Sequence, residues 1–313
     1  MHLLAHHPPA DVARHVASGS WTRVRRGAYV ETGPSSDPQG DRRLALARIT
    51  AVHRQALHPP LLMGESAALV WGLPLPRVPA RTHVAQVTRP GDSSAADVAR
   101  HVVHVPPEQR TVHHGLHVTT LERTAFDCAA ALDPYAGLVV ADAALHVGAD
   151  REAILAMVAR AGGHRGVRRA RAVVEAADAG AESPGETWLR WTMLRFGLPQ
   201  PTTQVPVQTP AGCYWADLGY PAWRVLVEYD GAEKYGADGA QAVAALRKER
   251  RRQLAVEEAG WRVVRVTAAD RRDPPALVAR LRAALPDHQS TPRPYLQPTT
   301  RRRRPGARQP ARP

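Results

Sequence analysis

The alternation of helical and extended patterns in residues 184–284 constrains the fold more strongly than any other feature of the sequence. Val243, Leu246 and Leu254 follow a helical spacing, whereas residues 223–230 and 261–266 have the apolar patterns of strands. The patterns predict helix 184–196, strands 203–208, 213–219 and 223–230, helix 240–259, strand 261–267 and helix 270–284. This αβββαβα order favours a mixed sheet flanked by helices.

Acidic residues lie at informative positions on these predicted strands. Asp217 is near the end of one strand, while Glu228 and Asp230 share a face of the next and can meet Asp217 across the hairpin. Glu186, in the first turn of the preceding helix, can reach the same point. Converging carboxylates repel one another unless a hard cation neutralises them, and oxygen ligands favour Mg²⁺ or Mn²⁺. The pattern predicts a metal site that can activate water for phosphodiester hydrolysis.

Some of these acids also have a purely structural interpretation. Ser183 is a potential N-cap with Glu186 three residues later, which accounts for Glu186 without chemistry, although a cap and a metal ligand are not exclusive. Asp217 is also compatible with a solvated strand end. Glu228 follows an apolar run, where a carboxylate is costly unless it is liganded.

The chain is strongly basic, and this favours a polyanionic partner such as DNA. Its 313 residues include 42 Lys and Arg against 29 Asp and Glu, a net charge of +13. Residues 286–313 are rich in proline and arginine, which predicts a disordered basic tail that either lies along phosphates or keeps the chain in solution. Arginines of helix 240–259 form either a solvated face or a phosphate-binding face. They are Arg247, Arg250 and Arg251.

The first half of the sequence predicts a mixed α+β region. Residues 21–30 alternate as a hairpin whose edge carries Arg23, Arg25 and Arg26, which is either the DNA-contacting wing of a winged helix or an ordinary amphipathic strand. Helices are predicted at 9–18, 38–57 and 65–74, strands at 82–88, 100–105 and 112–118, and a largely helical run at 120–179.

Several classes of protein are excluded by the sequence. The two cysteines lie 85 residues apart, so neither a CxxC metal site nor a disulfide framework is expected, and a cytoplasmic location follows. No signal peptide and no apolar run of about 20 residues is present, so no membrane association is expected. The absence of GxxxxGK[ST] and GxGxxG disfavours nucleotide-driven motors and dinucleotide enzymes.

Composition also suggests where domains divide. Thirteen of the 15 histidines precede residue 150, and residues 179–185 read as a turn between helical stretches. We therefore expect an N-terminal region at 1–180, a second domain at 181–285 and the tail at 286–313.

The N-terminal half resembles the AbiEi-type antitoxins, winged-helix regulators of type IV toxin–antitoxin systems. The resemblance spans about residues 10–150 and rests on residues 23–29, 65–68, 72–74 and 119–127. It implies a partial winged helix followed by a helical bundle, because only about twenty residues precede the hairpin. It also implies DNA as a ligand and a cognate toxin as a candidate partner.

Residues 183–285 resemble domains of unknown function related to the very-short-patch-repair (Vsr) endonucleases of the PD-(D/E)xK superfamily. The matching stretches are 183–186, 216–218, 227–231, 250–253 and 259–265. The resemblance makes Glu186 the helix acid, Asp217 the central metal ligand and Glu228 the second strand acid. Asp230 falls where the superfamily has a lysine, and Lys234 and Lys248, the only lysines of the chain, are the candidates for a displaced one.

Two functions follow from these resemblances. The first is a Mg²⁺- or Mn²⁺-dependent DNA endonuclease with an α/β core of the αβββαβ, restriction-endonuclease-like type. The second is a catalytically inactive, DNA-binding transcriptional regulator of the antitoxin type, in which the nuclease fold serves as a scaffold.

Overall fold

The computed structural model describes residues 2–3, 7–32, 39–88, 95–210, 212–230, 239–286, 288–291 and 293–298. Among these residues, no helix is both long and apolar enough to cross a membrane.

A small three-stranded sheet begins the chain. It contains β1 (His2–Leu3), β2 (Trp21–Arg25) and β3 (Ala28–Glu31) in the order β1-β3-β2, and α1 (Pro9–Ala17) precedes the β2–β3 hairpin. The turn of the hairpin includes Gly27, whose φ of 72° is readily adopted only by glycine. Trp21, Ala28 and Val30 are buried, because alternate residues of a strand face the same side.

A five-stranded sheet follows in the order β6-β5-β4-β8-β7. Its elements are α2 (Gly40–Gln55), β4 (Leu61–Leu62), α3 (Gly64–Val70), β5 (Thr82–Gln86), β6 (Val98–Val102), β7 (Arg110–His113) and β8 (Leu116–Thr119). The β5–β6 and β4–β8 pairs are parallel, and the β4–β5 and β7–β8 pairs are antiparallel. Apolar residues of α2 and α3 pack on this sheet and close its core.

Four helices connect this sheet to the second half of the chain: α4 (Leu121–Ala131), α5 (Pro134–His146), α6 (Arg151–Arg160) and α7 (Val167–Ala176). The first three begin at Thr120, Asp133 and Asp150, whose side chains accept hydrogen bonds from backbone N–H groups of the first turn. These N-caps satisfy donors that a helix start otherwise leaves without partners.

The second half has the predicted order of elements. It contains α8 (Pro184–Arg195), β9 (Thr202–Thr209), β10 (Gly212–Tyr220), β11 (Val225–Asp230), α9 (Gly239–Glu258), β12 (Arg262–Thr267) and α10 (Pro274–Ala284). The strand order is β12-β11-β10-β9, with β11 and β12 parallel and the other pairs antiparallel. Val256 of α9 packs with Val205, Val207, Ala216 and Leu226 of the sheet. The mixed α/β class predicted from the sequence is confirmed.

The main hydrophobic core continues across residue 180, where the sequence suggested a domain boundary. One cluster includes Leu138 and Val173 of the helical region together with Leu189, Val227 and Leu281 of the second half. The two predicted regions therefore share buried apolar surface through α8.

Part of the predicted tail is packed rather than disordered. Leu296 is fully buried, and its carbonyl accepts a hydrogen bond of 2.9 Å from Trp191 Nε1. Gln297 Nε2 donates to the carbonyl of Arg195 at 2.7 Å. The prediction of disorder from residue 286 therefore does not hold for residues 293–298, and the prediction for residues 299–313 falls outside the described part of the chain.

Candidate functional site

The β10–β11 hairpin brings two of the predicted acids together. Leu218 pairs with Val227, so continuing the antiparallel register by one residue places Asp217 opposite Glu228. Asp217 Oδ2 also accepts the backbone N–H of Tyr229 at 2.8 Å. The meeting of these carboxylates across the hairpin is therefore present in the structure.

Glu186 reaches the same region from the start of α8, where it belongs to a helix cap. Ser183 Oγ accepts the N–H of Glu186 at 3.2 Å and donates to Glu186 Oε1 at 2.8 Å. Glu186 Oε2 accepts the N–H of Glu182 at 2.9 Å. Gly185 lies against the ring of Tyr229, where a Cβ would overlap the ring, so α8 approaches β11 closely. The N-cap role of Ser183 is confirmed, whereas Glu186 accepts the backbone N–H of Glu182 rather than that of Ser183.

The three acids influence one another electrostatically. Burial raises the pKa of both Glu186 and Glu228, and the charge of Asp217 raises both pKa values further. The hydrogen bonds from Glu182 and Ser183 oppose the shift at Glu186. Asp217 therefore acts as the electrostatic centre of the acidic group.

Arginines of α9 and β12 neutralise Glu228. Arg252 Nη2 lies 2.9 Å from Glu228 Oε2, and Arg252 also donates to Glu249 at 2.9 and 3.0 Å. Arg265, which is paired with Glu228 in the β11–β12 register, contacts Glu249 and lies 3.9 Å from Glu228 Oε2. These interactions lower the pKa of Glu249 and raise that of Arg252.

Sequence reasoning missed this network. The signal was available, because Glu249, Arg252 and Val256 follow a helical spacing that turns one face of α9 toward the sheet. From the sequence, the arginines of this helix were assigned only to a solvated face or a phosphate-binding face. The network places a fixed cation where the sequence predicted a metal ion.

The acidic group does not have the arrangement of a metal site. In the described ranges, no three His, Cys, Asp or Glu side chains are placed so that they could hold a metal ion. Both carboxylate oxygens of Glu186 accept hydrogen bonds, and one oxygen of Glu228 faces Arg252. Mg²⁺ requires close to ideal octahedral oxygen ligation, which these engaged carboxylates do not provide. In this conformation the residues therefore do not fit Mg²⁺ or Mn²⁺.

The remaining predicted catalytic residues are less informative. Asp230 ends β11 and is partly exposed. Lys234 falls outside the described residues, and for Lys248 only its place in α9 is described. The prediction of a displaced lysine therefore lies outside the described part of the chain.

Exposed arginines mark two surfaces. Arg247, Arg250 and Arg251 are exposed on α9, and their spacing of three and four residues places them on one face. In the N-terminal hairpin Arg23 and Arg26 are exposed, whereas Arg25 Nε lies 3.4 Å from Asp97 Oδ2. We call the first surface the α9 arginine face. It lies on the helix that also carries Arg252.

Comparison with known proteins gives relatives but no function. Two proteins named "Uncharacterized protein" from Mycobacterium tuberculosis, one from strain H37Rv and one from strain CDC 1551, are each 33% identical over 161 residues. The match covers 50% of this chain and 58% of each relative, so the chain spans little more than half of the relatives' length. No family model matches the chain, and no solved structure matches it significantly.

Proposed function

We propose that this chain is a DNA-binding protein of the antitoxin-like regulator type, with a PD-(D/E)xK-like core that serves as a scaffold. The observation that carries the proposal is the pairing of Glu228 with Arg252 beside the exposed α9 arginine face. An arginine that neutralises the strand acid replaces the charge of a metal ion, while the neighbouring arginines remain available to phosphates. The exposed Arg23 and Arg26 of the hairpin provide a second candidate phosphate contact.

Binding to a duplex DNA tests the proposal. Simultaneous replacement of Arg247, Arg250 and Arg251 by alanine is expected to weaken binding uniformly across sequences, measured by fluorescence anisotropy as NaCl rises from about 50 to about 200 mM. The salt slope is the slope of log K for DNA binding against log [NaCl]. If each arginine contacts one phosphate, the magnitude of this slope falls by about 2.7, since each contact contributes roughly 0.9.

A matched control removes the same charge elsewhere. Arg54, Arg77 and Arg160 are exposed and lie outside α9, so their replacement by alanine lowers the net charge equally. We expect this control variant to keep most of the wild-type salt slope. If both triple variants lose the same amount of salt slope, the loss comes from net charge alone, and the proposed role of the α9 arginine face is refuted.

The second candidate function is a metal-dependent DNA endonuclease. It is favoured by the effect of Asp217 on the pKa of both Glu186 and Glu228, because mutually destabilised carboxylates are a common basis of metal sites. For this function Arg252 must first release Glu228. The nuclease proposal therefore requires a conformation different from the one described.

Plasmid nicking with Mg²⁺ or Mn²⁺ separates the two candidates. The endonuclease proposal expects nicking by the wild type and its loss in Asp217→Ala and Glu228→Ala. The regulator proposal expects no cleavage, DNA binding that is equal in EDTA and in Mn²⁺, and no calorimetric Mn²⁺ signal that depends on Asp217. If a lysine contributes to cleavage, Lys234→Ala or Lys248→Ala lowers the nicking rate.

A further inference from the structure

A cavity of about 510 Å³ lies away from the acidic group, between the five-stranded sheet and the helical region. Its walls come from the start of α3, from β5 and β6, from α4, from the segment that leads into α7 and from the first turn of α7. Such a volume falls within the range of pockets that hold small organic ligands.

One wall of the cavity is a connected set of polar side chains. His83 Nδ1 and His101 Nε2 are 3.2 Å apart, and their rings stack with centroids 5.1 Å apart. Glu65 Oε2 lies 3.5 Å from His83 Nε2. Burial lowers the pKa of His83 to about 4, so both histidines are neutral at pH 7 and this wall is an aromatic surface beside a carboxylate.

A second carboxylate in the cavity wall has an oxygen without a hydrogen-bond partner. Asp127 is 9% exposed, and its Oδ1 accepts from Arg123 Nε at 2.8 Å. Its Oδ2 has no hydrogen-bond partner in the described part of the chain. This oxygen is itself buried, so a ligand in the cavity does not reach it directly. Glu65, whose side chain is 22% exposed, is the carboxylate of this wall that a ligand donor can reach.

The cavity also contains cations. Arg165 is exposed and Arg169 is half-buried, and both line the same cavity as Asp127. Arg169 donates to the carbonyl of Leu132, which fixes its position. Arginine binds phosphate oxygens with charge-assisted hydrogen bonds, so a ligand here can carry a phosphate group.

We propose that this cavity binds a nucleoside monophosphate with an amino-bearing base, its phosphate held by Arg165 and Arg169. The exocyclic amine donates to the carboxylate of Glu65, as carboxylates do for the N4 amine of cytosine. The stacked His83–His101 pair provides an aromatic surface for the base. The site is independent of the acidic group and of the proposed DNA contacts.

Isothermal titration of the full chain with CMP and UMP tests the base recognition. The two ligands differ at position 4, where CMP has an amine and UMP a carbonyl oxygen, and at N3, which is an acceptor in CMP and an N–H donor in UMP. We expect CMP to bind about tenfold or more tightly than UMP, because a carbonyl facing a carboxylate leaves both acceptors unsatisfied. Equal affinities, or no binding of CMP, overturn the proposal. Glu65→Gln is expected to reduce the preference for CMP.

Titrations with cytidine and inorganic phosphate, together with two arginine variants, test the anion contact. Cytidine and phosphate should each bind at least about tenfold more weakly than CMP. Arg165→Ala, at an exposed position, should weaken the binding of CMP by about tenfold. Arg160→Ala, which removes an exposed arginine outside the cavity, should leave the affinity for CMP unchanged. Unchanged CMP affinity in Arg165→Ala, or equal losses in the two variants, refutes the assignment of the phosphate.

Discussion

The ion pair between Asp142 of α5 and Arg190 of α8 is expected to contribute strongly to stability. Asp142 is 1% exposed and Arg190 is fully buried, with Nη2 2.5 Å from both carboxylate oxygens. Asp142 also accepts the N–H of Asp178 at 2.8 Å and the hydroxyl of Thr187 at 2.9 Å. Asp142→Ala leaves a buried guanidinium without its counter-ion, so we expect the free energy of unfolding to fall by about 3–5 kcal/mol.

Urea unfolding followed by tryptophan fluorescence measures this loss. Trp188 and Trp191 lie in α8 with Arg190, so their emission reports on the region that the pair holds. Glu175→Ala is the control, because Glu175 pairs with Arg171 at 3.7 Å on the exposed surface. This substitution should lower the free energy of unfolding by less than about 1 kcal/mol.

The comparison of these two variants also tests the shared core. Because Asp142 and Arg190 lie on opposite sides of residue 180, their loss should destabilise both halves together, in one transition. A loss below about 1 kcal/mol for Asp142→Ala, or equal losses in the two variants, would refute the reasoning. Replacing both partners by apolar residues should restore much of the stability.

Three further predictions concern a cap, a turn and a buried acid. Ser183→Ala removes the N-cap of α8 and should lower the free energy of unfolding by about 1 kcal/mol, measured by thermal unfolding. Gly163 and Gly166 both have positive φ, but only at Gly166 would a Cβ overlap the Ala130 carbonyl, so Gly166→Ala should lower the Tm more than Gly163→Ala. Burial raises the pKa of Asp127 to about 6 from 3.8, so the native state binds the proton more tightly and stability falls as pH rises through this window. Relative to Asp127→Asn, the wild type should lose up to about 3 kcal/mol of unfolding free energy between about pH 4 and 7, measured by urea titration at each pH. Parallel pH profiles of unfolding free energy in the two proteins would contradict this.

The order of elements in the second half could be predicted because each element has a strong hydrophobic period. The approach of Asp217 to Glu228 across the hairpin was also expected from the sequence, whereas the register that places the two residues opposite each other is seen only in the structure. The packing of Leu296 could not be predicted in this way. Its neighbours in sequence are proline- and arginine-rich, whereas the residues that bury it, such as Trp191, are more than 100 positions away.

The partner of Glu228 bears directly on the choice between the two proposed functions. The helical spacing of α9 indicated that Arg252 faces the sheet, but it did not indicate which acid Arg252 contacts. A lysine near a metal-bound water can lose a proton when its pKa is lowered, whereas arginine stays protonated in proteins. Arg252 can therefore supply the positive charge that the lysine of the proposed endonuclease would carry, but not the proton chemistry of that lysine. Glu228 is held at 2.9 Å by a group that stays protonated, which favours the proposed regulator over the proposed endonuclease.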